Sequence, residues 1–271
     1  MTAKKIMFIG AHPDDNEINC GGTAIKLTKA GHTVQFLSAT NGQSGHHEKM
    51  GHALVKIRGL EAKEAKKRLG IDSYVILDNN DAYLTTDIST REGMMKAIRE
   101  FGPDYIITHR LCDYHPDHRN TAQLVQDCSY LVMVPNFLPA TPVPAVMPVI
   151  FYMMDGFKKP IPFDPEIVSD IDDVVEAKLR GLDAHVSQVY EWLPWVGGNP
   201  ESVPEGEAAR FEFLRETYSK RWEAVANKYR DKLIEKYGEA RGSKVKYAEA
   251  FEACEYGGAH NAEAEKDLFA L

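Results

Sequence analysis

The chain alternates short, mostly apolar runs with longer segments in which apolar residues recur every three to four positions. Lys5–Gly10 (KIMFIG), Thr33–Ser38, Tyr74–Leu77 and Tyr105–Thr108 are runs of the first kind. An apolar run with little polar alternation predicts a strand covered on both faces. Between these runs the pattern is helical: Gly21–Ala30 closed by Gly31, Leu54–Leu69 with Gly70 at the C-cap position, about Ser89–Phe101, and about His118–Val132. Strand and helix alternating at this spacing predict βαβ units. The fold class is therefore α/β, a Rossmann-like, doubly wound and mainly parallel sheet.

After Met133 the texture changes. Pro135, Pro139, Pro142, Pro144 and Pro148 predict a loop, and Val149–Met153 a further strand. Asp172 or Asp173 could cap a helix running to Trp192, with Val175, Leu179, Leu182, Val186 and Val189 on one face. The loop LPWVGGNPESVPEG precedes a long amphipathic helix from about Glu207 to Tyr237, and the tail GGAHNAEAEKDLFAL is polar with an apolar end. With no internal repeat and no linker, residues 1–271 are expected to form one domain. Its catalytic core would span about 5–190, with a helical C-terminal extension over about 205–271.

Composition narrows the class. Of 271 residues, 44% are hydrophobic and 27% charged, which fits a globular chain and excludes wholesale disorder. A net charge of −8 opposes nucleic acid or an anionic membrane as a dominant partner. Cys20, Cys112, Cys128 and Cys254 are scattered with no CxxC pair, which suggests reduced thiols and a cytoplasmic location. The apolar run near the N-terminus is too short for a signal peptide, and Val143–Met154 is broken by Pro144 and Pro148. The expected partner is a small molecule; a homo-oligomer is left open.

Two segments carry candidate chemistry. Ala11-His12-Pro13-Asp14-Asp15-Asn16-Glu17 follows the first strand, and His115-Pro116-Asp117-His118 follows the strand ending near Thr108. In open α/β sheets the carboxyl ends of the strands line the ligand crevice. Turn and helix-start preferences account for some of these residues, including Pro116 and Asp117. They do not account for two histidines flanking that pair. Imidazoles and carboxylates gathered at one sheet edge point to a metal site with His/Asp ligands.

Together AHPDDNE and HPDH resemble the signatures of the PIG-L/LmbE-like zinc-dependent N-acetylglucosaminyl deacetylases. Ala184-His185-Val186-Ser187-Gln188 matches that family's HxSQ-type element. The resemblance covers about residues 5–190, with a weaker echo at Glu255-Tyr256-Gly257. It implies a metal-dependent hydrolase that removes the N-acetyl group from an N-acetylglucosamine-type sugar or glycoconjugate and releases acetate. It further implies Zn2+ on His12, Asp15 and His118, although Fe2+ suits a two-His, one-carboxylate set as well. Asp14 would be the general base. His115, protonated, would stabilise the tetrahedral intermediate and donate a proton to the leaving amine, with Asp117 bonded to His115 and raising its pKa.

Arg58 and Asp81 match family residues near the sugar, against the plainer readings of a solvated helix charge and a turn residue. Asp113 stands where some relatives carry a carbonyl-polarising tyrosine; Tyr114, one place on, is the nearest substitute. Glu17 reads as a partner near Asp15 or a helix-start acid, and His185 as a structural partner near the site. His46, His47 and His52 read as solvated loop residues rather than ligands, and Trp192 and Trp195 as a sugar-stacking wall or as packing. A metal-dependent amidase on a non-sugar amide is the alternative enzyme. A non-catalytic sugar- or nucleotide-binding module is disfavoured, since no GxGxxG or Walker loop follows the first strand.

Overall fold

The computed structural model describes residues 2–261. Seven strands form one sheet in the order β3-β2-β1-β4-β5-β7-β6. They are β1 Lys5–Gly10, β2 Thr33–Ser38, β3 Ser73–Ile76, β4 Tyr105–Thr108, β5 Val149–Met153, β6 Ile167–Asp170 and β7 Ala248–Gly257. β1 to β5 are parallel; β7 runs antiparallel between β5 and β6. The helices are α1 Asp15–Lys29, α2 Gly51–Leu69, α3 Ile88–Phe101, α4 Pro116–Leu131, α5 Val175–Leu182, α6 Leu193–Val196, α7 Glu207–Lys228, α8 Arg230–Tyr237 and α9 Glu239–Gly242. None of the helices among the described residues is long and apolar enough to cross a membrane.

The apolar runs become central strands because both sheet faces are covered. Ile6 and Phe8 of β1 pack with Leu27 of α1, Leu179 of α5 and Trp222 of α7. On the other face, Met7 and Ile9 pack with Met94 of α3 and Leu124 of α4. From β1 the chain winds outward through β2 to β3, then returns to lay β4 on the other side of β1. The segments that leave β1 and β4 therefore part in opposite directions, and a crevice opens between them.

The sequence expectations and the structure differ in four places. α1 starts at Asp15 rather than Gly21; its first turn is polar yet buried, so apolar periodicity does not reveal it. The helix expected to reach Trp192 ends at Leu182, and Ser187–Trp192 form a π-helical turn. The helix expected over Glu207–Tyr237 breaks at Tyr229. The C-terminal extension is helical only to Gly242; after that the chain re-enters the sheet as β7, and β6 was also unanticipated. The end of the polar tail, residues 262–271, lies outside the described residues.

β7 was hidden because it buries a charge. Glu249 lies 2.6 Å from Lys178 Nζ, with both side chains almost completely enclosed. Its other contacts are the N–H groups of Gly22 and Thr23 in α1, each donating at 2.8 Å. A side chain on Gly22 would come within 2.7 Å of Ile171, so a glycine is needed where α1 presses on the end of β6. Removing one partner of a buried pair leaves an uncompensated charge, so Glu249→Ala is expected to cost about 3–5 kcal/mol in urea unfolding. Adding Lys178→Met to that variant should recover part of the loss. A loss below about 1 kcal/mol for Glu249→Ala would show that the pair does not hold α1 to β7.

Candidate active site

The turn after β1 folds back on itself. The N–H groups of Asp14 and Asp15 donate to the carbonyl of His12 at 3.0 and 3.3 Å. Asp15 Oδ2 in turn accepts from the N–H of Ala11 at 2.9 Å and of His12 at 2.8 Å. Across the crevice, His109 directly follows β4; its Nε2 lies 3.2 Å from Asp15 Oδ2 and accepts from Ala11 N–H at 3.2 Å. Its ring stacks on that of His118 at 4.2 Å, the two planes nearly parallel. His115 is the N-cap of α4: its Nδ1 accepts from Asp117 N–H at 3.2 Å, with Pro116 in the first turn. Asp117 and His118 are thereby aimed back at β1.

Three of the expected donors converge. His12 Nδ1 is 3.3 Å from His118 Nε2 and 3.5 Å from Asp15 Oδ2, and His118 Nε2 is 3.5 Å from Asp15 Oδ1. Tetrahedral zinc, with bonds of ~2.0–2.1 Å, sets its ligand atoms ~3.3–3.5 Å apart. The opposite nitrogens are also occupied. His12 Nε2 faces Asp117 Oδ2 at 3.2 Å and Asp81 Oδ1 at 3.3 Å; His118 Nδ1 faces Asp113 Oδ1 at 3.0 Å. With His12 Nε2 hydrogen-bonded to Asp117 and His118 Nδ1 facing Asp113, the inner nitrogens of the two imidazoles face each other beside a carboxylate. Such a donor set fits a divalent cation.

The electrostatics agree. Burial alone would lower His12, but its bonds to Asp117, Asp15 and Asp81 hold it well above the usual histidine value. Burial likewise acts to lower His118, and Asp15 and Asp113 outweigh it. Burial would raise Asp15, yet His118 and His109 bring its carboxyl well below the ordinary range. Its neighbour behaves oppositely: burial pushes Asp14 up, against the pull of Arg58.

Several expected roles change. Asp117 bonds His12 rather than His115, because helix capping spends His115 Nδ1 on the backbone. His115 is not raised; burial, with His12 and His118 beside it, lowers it. Arg58 is no solvated charge: it is 1% exposed, donates to Pro13 O and lies 3.3 Å from Asp14 Oδ1. Asp81 is buried and accepts from Ser44 N–H at 3.2 Å as well as facing His12. Tyr114 is exposed, its ring edge-on to His115 and His118 at 5.7 Å.

Glu17 and His185 pair at 2.9 Å, fully enclosed. His46, expected to be solvated, is buried, bonds Glu191 at 2.8 Å and accepts the N–H groups of Glu48 and Lys49. His47 and His52 are exposed, and His47 stacks on Trp195, which stacks on Trp192. Glu255, Tyr256 and Gly257 form the end of β7, and none lines the cavity described next. Sequence reading missed His109 and the task of Asp113. The first residue after β4 was the available signal for His109.

The cluster opens into a cavity of about 710 Å³. His12, Asp14, Asp15, His115 and His118 line it, together with Arg58, Asp81, Tyr114 and Gln188. A metal-type His/Asp donor set and a separate buried carboxylate thus meet at the switch point of a doubly wound sheet, an arrangement able to serve metal-dependent hydrolysis. The chain belongs to the family described as GlcNAc-PI de-N-acetylase (PIG-L), which matches residues 7–129. It is 32% identical over 199 residues to diacetylchitobiose deacetylase of Thermococcus kodakarensis, covering 71% of this chain and 73% of that one. It is also 26% identical to a probable N-acetyl-alpha-D-glucosaminyl L-malate deacetylase 2 of Bacillus cereus, over 81% of this chain and 99% of the relative.

Among solved structures, N,N'-diacetylchitobiose deacetylase from Pyrococcus horikoshii superposes with a TM-score of 0.69 at 26% identity, over 93% of this chain and 84% of that one. The 4-carboxy-2-hydroxymuconate hydratase GalB of Pseudomonas putida reaches 0.73 at 18% identity, over 95% of this chain and 99% of that one; it shares the fold. Fold alone thus does not select the reaction.

The raised histidines set a pH dependence for the protein stripped of metal by chelation. His12 and His118, and His185 beside Glu17, hold protons more tightly folded than unfolded. Their stabilisation is complete below the unfolded value of ~6.5 and is lost as pH rises through the folded values. The urea midpoint of chelated protein is expected to fall as pH rises above about 6.5, and added Zn2+ to remove most of that fall. A midpoint that stays flat or rises there without metal contradicts the protonated pairs.

Proposed function

We propose that the chain is a zinc-dependent deacetylase that hydrolyses the N-acetyl group of an N-acetylglucosamine-type glycoconjugate, with acetate as product. The observation that carries this is the pairing of adjacent aspartates with opposite surroundings. Asp15 faces His12 and His118 at ligand distances, while Asp14 is buried against Arg58. In this reading His12, Asp15 and His118 hold the ion, and Fe2+ would suit the same set. When bound, the ion would lower the pKa of a water toward ~7 and polarise the amide carbonyl.

The remaining work falls to side chains of this protein. Asp14, raised by burial and steadied by Arg58, accepts the water's proton and can return it to the leaving amine. His115, with Nδ1 engaged by the backbone, offers Nε2–H to the carbonyl oxygen as charge develops there. Asp117 and Asp81 orient His12, and Asp113 orients His118. Arg58, Asp81 and Tyr114 remain the candidates for contact with the sugar. The relatives named for acetylated amino sugars support the substrate class. The net charge of −8 supports a small-molecule substrate over nucleic acid or an anionic membrane, and the scattered cysteines support a cytoplasmic location. The insertion of β7 between β5 and β6 supports treating core and extension as one domain.

Two substitutions separate the aspartates. Asp14→Asn is expected to keep zinc, since it removes no metal bond, and to lower turnover by ~10²–10⁴-fold with little change in KM. Asp15→Asn should lose zinc on dialysis and recover partly in excess Zn2+. Zinc content and acetate release measured on both, with and without added metal, decide the matter. Loss of zinc from Asp14→Asn alone reverses the roles, and full activity in both ends the reading. His115→Ala is expected to retain zinc while losing ~10²–10⁴-fold in turnover; if its zinc is lost with its activity, His115 is a ligand rather than a donor.

A further inference from the structure

The order of the strands divides the cavity into two flanks. β1, whose following turn carries His12, Asp14 and Asp15, lies between β2 and β4. On the β2 flank the lining is polar: Ser44 and Gly45 follow β2, Arg58 belongs to α2, and Asp81 follows β3. Beyond the donor cluster, on the β4 flank, it turns apolar. Met153 ends β5, and Met154 and Phe157 follow it. The Phe157 ring is 6.2 Å from that of Tyr114, which lies 5.7 Å from both His115 and His118. A hydrocarbon surface thus starts beside the cluster. Helix α7 adds Tyr218 to the lining from the side of α1, on which Trp222 anchors it.

A buried guanidinium holds this surface in place. Arg110 directly follows His109 and is buried. It forks onto Asp155 at 2.7 and 2.8 Å, donates to the carbonyls of Ile161 at 3.1 Å and Phe157 at 3.4 Å, and lies 5.3 Å over the ring of Phe163. Asp155 also accepts the N–H of Phe157 at 2.9 Å. The segment after β5 is therefore fixed to the strand end that carries His109. Arg110 and Asp155 spend their charges on each other. What the segment offers a ligand is the thioether chain of Met154 and the ring of Phe157, both half-buried. A flexible thioether beside a flat ring suits hydrocarbon of variable length.

In the deacetylase reading, Asp14 returns its proton to the leaving amine, so the amine and its sugar lie toward Asp14 and Arg58. His115 reaches the carbonyl oxygen from α4. The remaining substituent of the carbonyl carbon, the acyl group, then faces Met154 and Phe157, and an acetyl methyl is too small to cover them. We propose that this flank is an acyl-chain site, and that the enzyme removes linear N-acyl groups longer than acetyl from the amino sugar. The proposal rests on the deacetylase reading and widens the acyl group it acts on. The bond chemistry is unchanged: the amide C–N bond breaks, water gives its hydroxyl to the acyl carbon and its proton to the amine, and a short fatty carboxylate leaves in place of acetate.

The probes are the methyl glycosides of N-acetyl-, N-butyryl- and N-hexanoylglucosamine, assayed with the zinc-loaded full chain. A methylene covered on one side is worth about twofold in affinity, so kcat/KM is expected to rise roughly tenfold from acetyl to hexanoyl, mainly through KM. Phe157→Ala should flatten that rise and leave the acetyl compound unchanged, and Phe157→Leu should keep most of it. A kcat/KM for hexanoyl at or below that for acetyl overturns the acyl site while the deacetylase reading stands. A fall in Phe157→Ala that is equal for all three compounds shows an architectural role and also overturns it. If wild type hydrolyses none, the deacetylase reading fails, and calorimetry on metal-free protein decides the site. Tighter binding of the hexanoyl than the acetyl glycoside, lost in Phe157→Ala, upholds it; equal binding overturns it.

Discussion

The carboxylate of Asp15 accepts the N–H groups of Ala11 and His12 and lies within 3.5 Å of imidazole nitrogens from His12, His109 and His118. The two backbone bonds close the turn after β1. The three imidazoles come from both sides of the crevice, two of them from the segment that follows β4. A buried carboxylate must be paired and hydrogen-bonded to be tolerated at all. Satisfying Asp15 therefore draws the β1 and β4 segments into one cluster. Every other functional side chain takes its place relative to that contact. Asp14 is turned to the opposite side, toward Arg58, and His118 is brought edge to edge with His12.

The carboxylates around the cluster divide the labour through their partners. Asp81, Asp113 and Asp117 take the outer nitrogens of His12 and His118, which fixes the rings and leaves the inner nitrogens as donors. Among the described residues Asp14 has no imidazole within ion-pair distance, and it is the one raised by burial. Neighbouring groups of one chemical type are thus pushed in opposite directions, the condition for holding a metal with one and moving a proton with the other.

The same logic of enclosed charge operates on the far side of α1. Glu249 of β7, Lys178 of α5 and the N–H groups of Gly22 and Thr23 form a buried set that binds the C-terminal part of the chain to the helix carrying Asp15. Trp222 joins α7 to it through Ile18 and Lys178. The catalytic turn and the wall formed by α7 are consequently parts of one packed unit. The outer portion of the cavity is built by residues well beyond the 7–129 segment that matches the family.

Local chemistry was legible from the sequence. β1, β2, β4 and β5 were read at their observed limits because central parallel strands are covered on both faces, and that leaves short, mostly apolar runs. AHPDD and HPDH were legible because turns and helix starts at strand ends keep functional residues contiguous. Hydropathy hid whatever buries polarity: the first turn of α1, the strand around Glu249, and His46 against Glu191. It also could not place contacts between segments. That Asp117 reaches His12 rather than its neighbour His115, that Asp113 and His109 serve the cluster, that Arg58 backs Asp14, and that α7 closes the cavity all depend on which elements pack together. Sequence determines the donors and the apolar strands they follow, since both come from local preference and apolar pattern. Only the tertiary structure decides the pairings, because a buried charge takes whichever partner the packing brings within hydrogen-bond reach.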